Sequence, residues 1–423
     1  MTSLARRIAR GDWKHWARVI VLTLLGVYLG HTAEHAGFLI DLRYRLHQLL
    51  TTYVSTRPVH PRYTRLVTVN DEEYWRGDLA GRQPIKRDFL ASLLRAVDQA
   101  NPAVIALDFD LSASDPTSSA VHGDYRDETT VLMTAIREIA SRRPIVLART
   151  INRDGEGYFL EADIHDGDSR DGRVVCAKRP SDSTVPNVYC GYIALPRDIR
   201  RLPPALRMER EMRGVRLDSF ALATARASSR ETDYTRPIEV AYGSFMPFER
   251  YVEASAVASA GKILTDLTER RKLAHRIVLI GANWSSLGYG RGPGVDRHPS
   301  PVGDVPGVLL HANYVEAILD GRTYRPIPLE VAVGVEVVVV LAVALGISTR
   351  RKAAIWGLTA TGLVAVWYVL FQNFGRFFDG LIPLIMVGSH AAFEQVREWR
   401  REALAARARV QQSNVAQSWR AST

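Results

Sequence analysis

Four stretches of the chain carry enough apolar residues in succession to indicate membrane spans. The first covers residues 19–40, and the other three follow one another near the C-terminus at residues 327–348, 353–371 and 377–393. A helix rises about 1.5 Å per residue, so roughly 20 residues match a hydrocarbon core about 30 Å thick. The pattern therefore predicts one N-terminal and three C-terminal transmembrane helices.

Basic residues beside these stretches predict their orientation. They lie in residues 1–18, in residues 349–352 and in residues 394–423. By the positive-inside rule, both termini are cytoplasmic and residues 41–326 are extracytoplasmic. No small-x-small cleavage site follows the first stretch, so we expect an uncleaved anchor rather than a signal peptide. Because topology accounts for much of the net charge of +10, we expect no nucleic-acid partner.

The region between the first two spans alternates short apolar runs with helical patterns. Strands are predicted at residues 65–70, 103–108, 145–150, 190–195, 238–242 and 276–280, and helices at residues 87–100, 129–141, 218–228, 262–273 and 308–319. Residues 152–186 are rich in Asp, Gly, Ser and Arg, which predicts a hairpin or an inserted loop. The alternation predicts an α/β fold whose mixed or mostly parallel sheet is covered by helices.

Four blocks of this region resemble, in order, the type-2 CHASE domain family, the extracytoplasmic sensor modules of bacterial transmembrane receptors. VTVNDE at 67–72 resembles a strand with an acidic turn, and VIALDFD at 104–110 a second strand. RIVLIGA at 276–282 resembles the late strand and glycine turn, and PGVLLHAN at 306–313 the closing helix. With the predicted spans, the resemblance covers about residues 20–395.

The resemblance implies a sensor in the bacterial inner membrane that perceives a periplasmic signal. The family has no shared catalytic activity, so we expect neither an enzyme nor a cofactor. Typical members continue into an output domain, whereas here about thirty residues follow the last span. We therefore expect a separate cytoplasmic or membrane output partner. The sequence is also compatible with a homodimer. The alternatives are a scaffold subunit of a membrane complex and, third, an external hydrolase.

Residues 394–410 form a basic helical pattern at the cytoplasmic end. This helix is a candidate docking site for the output partner. The alternative is attraction of its arginines to anionic lipid headgroups, which would make the bilayer itself its partner.

Polar residues after the predicted strands are the candidate ligand-binding residues. They are Asp71, Asp108, Asp110, Asn283 and Trp284, together with His311 of the last predicted helix. Ligands of open sheets gather outside the carboxyl ends of the strands, so a cation or a small polar ligand is expected there. In the alternative interpretation, Asp71 caps a turn or helix and Asp108 braces loops by hydrogen bonds.

Two motifs match catalytic or phosphate-binding patterns only superficially. Residues 31–35 contain His31 and Glu34 in the H-x-x-E-H spacing of one metalloprotease class. They fall in a predicted membrane span and lack a third ligand, so neither a metal site nor a catalytic residue is expected. The glycine-rich residues 288–292 lack a following helix, so we expect a mobile loop beside the ligand site.

The helix at residues 308–319 has an amphipathic pattern and leads through Gly321, Pro326 and Pro328 into the second span. A shift of this helix would act on that span, which makes it a candidate for signal transmission. The alternative is that the helix only covers the sheet.

Two pairings are predicted from the topology. Cys176 and Cys190 both fall outside the cytoplasm, where an even pair of cysteines indicates a disulfide. Glu336 and His390 fall about 13 Å inside their spans, at the same depth. A carboxylate in lipid is costly, so Glu336 is expected to meet His390, or His31 in its place. Alternatively, Glu336 is neutral and bonded to a hydroxyl or carbonyl group.

Overall fold

A computed structural model of the chain describes most of the region between the first two predicted spans. Its main stretches are residues 61–111, 125–149, 187–193, 215–228, 256–287, 294–300 and 303–321, with short strands and scattered helical residues elsewhere. Within these described residues, no helix has both the length and the apolar composition needed to cross a membrane. His31, Glu34, Glu336 and His390 lie outside the described residues, so their proposed contacts stay predictions.

The described elements alternate between strands and helices. The helices are α1 (Arg87–Asp98), α2 (Tyr125–Ala140), α3 (Phe220–Ser228), α4 (Ala260–Thr265), α5 (Leu267–Arg271) and α6 (Gly307–Leu319), with a π-helical turn at Glu72–Arg76. The strands are β1 (Thr64–Asn70), β2 (Val104–Asp108), β3 (Ile145–Arg149), β4 (Ile151–Asp154), β5 (Gly157–Leu160), β6 (Val188–Tyr192), β7 (Leu206–Arg207), β8 (Glu209–Met212), β9 (Val215–Asp218), β10 (Phe245–Met246), β11 (Val257–Ser259), β12 (Ile277–Asn283), β13 (Arg297–Ser300), β14 (Gly303–Pro306), β15 (Arg325–Pro326) and β16 (Arg376–Phe377).

Six strands form one sheet in the order β11-β1-β12-β2-β3-β6, and every pairing within it is parallel. Strand β12 lies between β1 and β2, although it follows both by more than 160 residues of sequence. Strands β12, β2 and β3 are apolar except at their last residue, as expected for strands covered on both faces, whereas the neighbouring β1 also contains Thr64, Arg65 and Thr68. The predicted α/β class is therefore confirmed, and the antiparallel pairs lie outside this sheet, for example the β4–β5 and β13–β14 hairpins and the pairing of β7 with β10.

Helices cover both faces of the sheet and enclose two apolar cores. Helices α1, α2 and α4 cover one face, and α3 and α6 cover the other. Along β2, Ile105 and Leu107 enter the first core, whereas Val104 and Ala106 enter the second. This alternation decides which face the polar residue at the end of each strand occupies.

The closing helix α6 was predicted to be amphipathic, with one face exposed, but this prediction was wrong because the helix is buried on all sides. The extent of α6 agrees with the prediction to within one residue, but every residue from Gly307 to Ile318 is buried. The helix packs on β1 and β12 and also against α3. Its polar residues, which in the sequence resemble a solvent-facing side, are therefore inside the protein.

Other predicted elements differ from the structure mainly at their ends. The helix predicted at residues 262–273 is two short helices, because Asp266 adopts an extended backbone between them and its side chain accepts a hydrogen bond from the Thr268 amide of α5. Strands β4 and β5 pair as a hairpin at the start of the segment predicted as a hairpin or insertion. The strand predicted at residues 238–242 lies outside the described residues.

A glycine permits α6 to approach β12 closely. A Cβ atom placed on Gly281 would lie 2.5 Å from the Val308 Cβ, a separation that side chains do not tolerate. We therefore expect Gly281→Ala to lower the free energy of unfolding by about 1–3 kcal/mol through overpacking. Urea unfolding of the full chain in lipid nanodiscs measures this change. Gly362→Ala is the control, because nothing lies within 4 Å of the added methyl group, and equal losses in both variants would contradict the prediction.

Candidate functional site

The carboxyl ends of the parallel strands meet at one edge of the sheet, and polar residues end three neighbouring strands there. These residues are Asn70 of β1, Asn283 of β12 and Asp108 of β2. The Asn283 side-chain amide nitrogen donates a hydrogen bond to the side-chain oxygen Oδ1 of Asn70 at 3.1 Å. The edge therefore carries polar groups where open α/β sheets bind ligands.

The predicted site residues divide between the two faces of this edge. By the alternation along β2 and β12, Asp108 and Asn283 face the side covered by α3 and α6, and His311 belongs to α6 itself. Trp284 enters the opposite core, and Asp110 is exposed beyond β2. The structure therefore brings three of the six predicted residues to one face.

Asp71 acts as a brace between two loops. Its carboxylate accepts hydrogen bonds from the Ser285 amide at 2.7 Å and from the Ser285 hydroxyl at 2.8 Å. It makes no side-chain hydrogen bond to the π-helical turn that it precedes. The loop-bracing role considered for Asp108 in the sequence is thus performed by Asp71, which joins the ends of β1 and β12.

Trp284 is part of an aromatic stack. Its ring lies parallel to that of Tyr74, with centroids 4.1 Å apart, and the Phe109 ring lies 6.2 Å away on a similar plane. Trp284 is only 6% exposed. These contacts assign the residue to core packing at the edge of the sheet.

A group of ionisable residues lies on the α6 side of the same edge. We call Asp108, Asp296, His298 and His311 the polar cluster. The His298 Nε2 atom is 2.8 Å from an Asp296 carboxylate oxygen, and the Asp296 carbonyl accepts a hydrogen bond from the Gly307 amide at 2.9 Å. A Cβ atom on Gly307 would overlap the Asp296 carboxylate. That carboxylate therefore lies at the N-terminus of α6, where the helix dipole favours negative charge.

Asp108 and His311, the two members of the polar cluster with displaced pKa values, are both buried. Burial raises the pKa of Asp108 well above its ordinary value, and the Asp296 carboxylate raises it further. Burial lowers the pKa of His311 to about 4; the Asp296 charge opposes this shift and His298 adds to it. In both residues the neutral form is favoured, because a charge would be removed from water.

Two polar atoms of the cluster are buried without a hydrogen-bond partner. They are the Nδ1 atoms of His298 and His311. Buried polar atoms in folded proteins nearly always have a partner, so this cluster is suited to exchange protons or to accept a small polar molecule. Among the residues that the structure describes, no three His, Cys, Asp or Glu side chains are placed to hold a metal ion.

A second buried carboxylate lies toward the other end of α6. One oxygen of Glu316 accepts hydrogen bonds from the Tyr63 amide, the Thr64 amide and the Thr64 hydroxyl at 2.7–2.9 Å. The other oxygen accepts from the Arg62 amide at 3.0 Å. Glu316 therefore fastens the first strand of the sheet to the last helix.

The sequence interpretation missed Asp296, His298 and Glu316. Asp296 and His298 lie at the start of the β13–β14 hairpin, in a segment without a clear strand pattern. Glu316 is on the predicted helix but resembles a solvent-facing residue. Residues 288–292, predicted as a mobile loop, lie outside the described residues.

Comparison with known families identifies the fold that carries these residues. The family model for the CHASE2 domain matches residues 17–347. The chain belongs to the CHASE2 domain family. CHASE2 domains are extracytoplasmic sensor domains, so the resemblance seen in the sequence is confirmed and the chain carries a sensory module. No curated protein and no solved structure matches the chain.

Proposed function

We propose that this CHASE2 protein is a bacterial inner-membrane sensor whose extracytoplasmic domain receives its stimulus at the polar cluster. The observation that carries the proposal is the set of buried, unpartnered polar atoms at the N-terminus of α6, on the carboxyl edge of a sensor-domain sheet. In this proposal both termini are cytoplasmic, four helices cross the membrane, and no catalytic activity or cofactor is involved.

The path of α6 supports transmission through this helix. Nine residues separate Gly307, beside Asp296, from Glu316, so the helix carries a displacement over about 14 Å from one edge of the sheet toward the other. At that second edge, Glu316 holds the start of β1. A stimulus that alters the docking of α6 would thus move both the first and the last element of the domain. The predicted span at residues 327–348 follows shortly after α6 in the chain.

The output is expected from a protein in trans, through the basic segment at residues 394–410. Trp399 and Leu404 of this segment have exposed fractions of 62% and 64%. Exposed apolar side chains on a basic helix suit a partner surface as well as the bilayer. A photocrosslinking amino acid at position 404 therefore reports what this segment touches in native membranes.

The test compares crosslinking at position 404 in the otherwise wild-type chain and in His311→Phe, which removes the imidazole from the polar cluster and keeps an aromatic ring beside Phe220. If the protein is a sensor, the yield of the crosslinked partner in His311→Phe is expected to differ from that in the wild-type chain by at least about twofold. The reason is that α6 transmits the altered packing of the cluster to the rest of the protein. His275→Asn is the matched control: His275 is exposed, lies outside the cluster and has a left-handed backbone that asparagine tolerates. An unchanged yield at fixed partner stoichiometry would overturn the proposal in favour of a scaffold subunit.

The disulfide between Cys176 and Cys190 is part of the proposal for an oxidising compartment. Cys190 lies in β6 beside the first core, and Cys176 lies outside the described residues. Closing a loop of about 15 residues is expected to contribute roughly 3 kcal/mol. Mass spectrometry of the non-reduced protein should yield the linked peptides. Alkylation of both thiols without prior reduction would contradict the prediction.

A further inference from the structure

Two buried residues of the polar cluster ionise in opposite senses. Asp108 becomes negative when it loses a proton, whereas His311 becomes positive when it gains one. Asp108 is 8% exposed and His311 is 1% exposed. The His311 Nδ1 atom makes no hydrogen bond, so a positive charge on this ring would have no hydrogen-bonded partner at that atom.

Close packing around these residues excludes water while α6 is docked. Val308 fills the space above Gly281, and Asp296 lies directly beside Gly307. The His311 ring packs edge-on against Phe220 of α3, with centroids 5.1 Å apart. Hydration of a new charge at Asp108 or His311 therefore requires the N-terminal turn of α6 to move.

The Asp296 carboxylate of the cluster favours a positive charge on His311 and disfavours a negative charge on Asp108. Outside the cluster, the titratable and charged residues on α6 and on the described elements packed against it are Arg65, Arg226, Arg297, Asp304, Tyr314 and Glu316. Those on α1 and β3, which pack against the strand that carries Asp108, are Arg87, Asp88, Arg95, Asp98 and Arg149. Arg226 pairs with Asp218 at 2.5 Å, and Arg297 donates to the Asp304 carbonyl at 2.7 Å. Within the cluster, the Asp296 side chain is 45% exposed, so it connects the buried pair with solvent.

We propose that the polar cluster is a proton-sensing site, and that the stimulus of this protein is a change in extracytoplasmic pH. The inference rests on the proposed function, because it names the ligand of the same site. At intermediate pH, Asp108 and His311 are both neutral and α6 is docked. When the pH rises, Asp108 releases its proton to water; when the pH falls, His311 takes one up. Either charge is relieved when the N-terminal turn of α6 opens to solvent.

Hydrogen–deuterium exchange of the full chain in lipid nanodiscs tests this inference. The readout is the protection of amides in residues 303–315, corrected for the intrinsic pH dependence of exchange, between pH 4 and pH 9. The wild-type protein is expected to show maximal protection at intermediate pH and a decline on both sides. Opening coupled to one proton changes protection by up to about tenfold per pH unit.

Each limb of that profile is assigned by one variant. Asp108→Asn is expected to remove the decline at high pH, and His311→Phe the decline at low pH. If His311→Phe does not fold, His311→Gln serves in its place, and His275→Asn should retain both limbs. A flat wild-type profile, or both limbs intact in Asp108→Asn or in the His311 variant, overturns proton sensing and leaves the crosslinking test of the proposed function unaffected.

Discussion

Replacing Glu316 with alanine is expected to lower the free energy of unfolding by about 3–5 kcal/mol. Four hydrogen bonds end on this carboxylate, which is 2% exposed, and three of the donors are backbone amides at the start of β1. Without the acceptor, each buried donor that stays unpaired costs about 1–3 kcal/mol. Urea unfolding of the full chain in nanodiscs measures the loss, and exchange of the β1 amides locates it.

Glu316→Gln is the matched control for this prediction. The glutamine carbonyl can take the place of the oxygen that accepts from Tyr63 and Thr64, so only the bond to the Arg62 amide is lost. The expected loss is then about 1–2 kcal/mol. Equal losses in the alanine and glutamine variants would show that negative charge, rather than the set of acceptors, stabilises this junction.

Acidification is expected to destabilise the domain through His311. The unfolded residue binds its proton below about pH 6.5, whereas in the folded state burial lowers the pKa of His311 to about 4. Between these values the unfolded state binds more protons, so the free energy of unfolding falls as the pH falls. The difference of 2.5 pH units corresponds to about 3 kcal/mol, lost progressively from pH 6.5 to pH 4.

The measurement is the stability of the wild-type chain relative to His311→Phe across that range. Burial raises the pKa of Asp108, so its effect has the opposite sign and lowers stability as the pH rises. Subtracting the two stability curves removes this contribution, because Asp108 is present in both proteins. The difference is expected to change by about 3 kcal/mol between pH 6.5 and pH 4. A constant difference would mean that His311 titrates normally in the folded protein.

Local elements of the fold were predictable because short-range signals determine them. β1, β2, β3 and α1 are apolar or periodic runs bounded by punctuation such as Asn101-Pro102, and each agrees with the prediction to within two residues. The order of the strands was not predictable. No local signal in Ile277–Asn283 indicates that this strand lies between β1 and β2 rather than at an edge.

The site was predictable only in part, for a different reason. The positions of Asp108 and Asn283 follow from parallel strands that end at one edge, but the face that each side chain occupies requires the exact strand register. Asp296 and His298 reach the cluster through a hairpin whose course depends on contacts with Gly307. The burial of His311 depends on α3 and α6 packing together, and the polarity of a sequence does not distinguish a buried polar residue from a solvated one.

The position of β12 in the sheet has a consequence for biosynthesis. Its neighbours β1 and β2 leave the ribosome first, and β2 precedes β12 by about 170 residues. Protein synthesis proceeds at roughly 5–20 residues per second, so β12 is made about 10–30 s after β2. Until then, the edges of β1 and β2 that will pair with β12 have no partner strand. During that interval both edges are unpaired and able to aggregate. Folding of this domain therefore depends on keeping the facing edges of β1 and β2 from pairing wrongly until about the first two thirds of the chain, through β12, have been made.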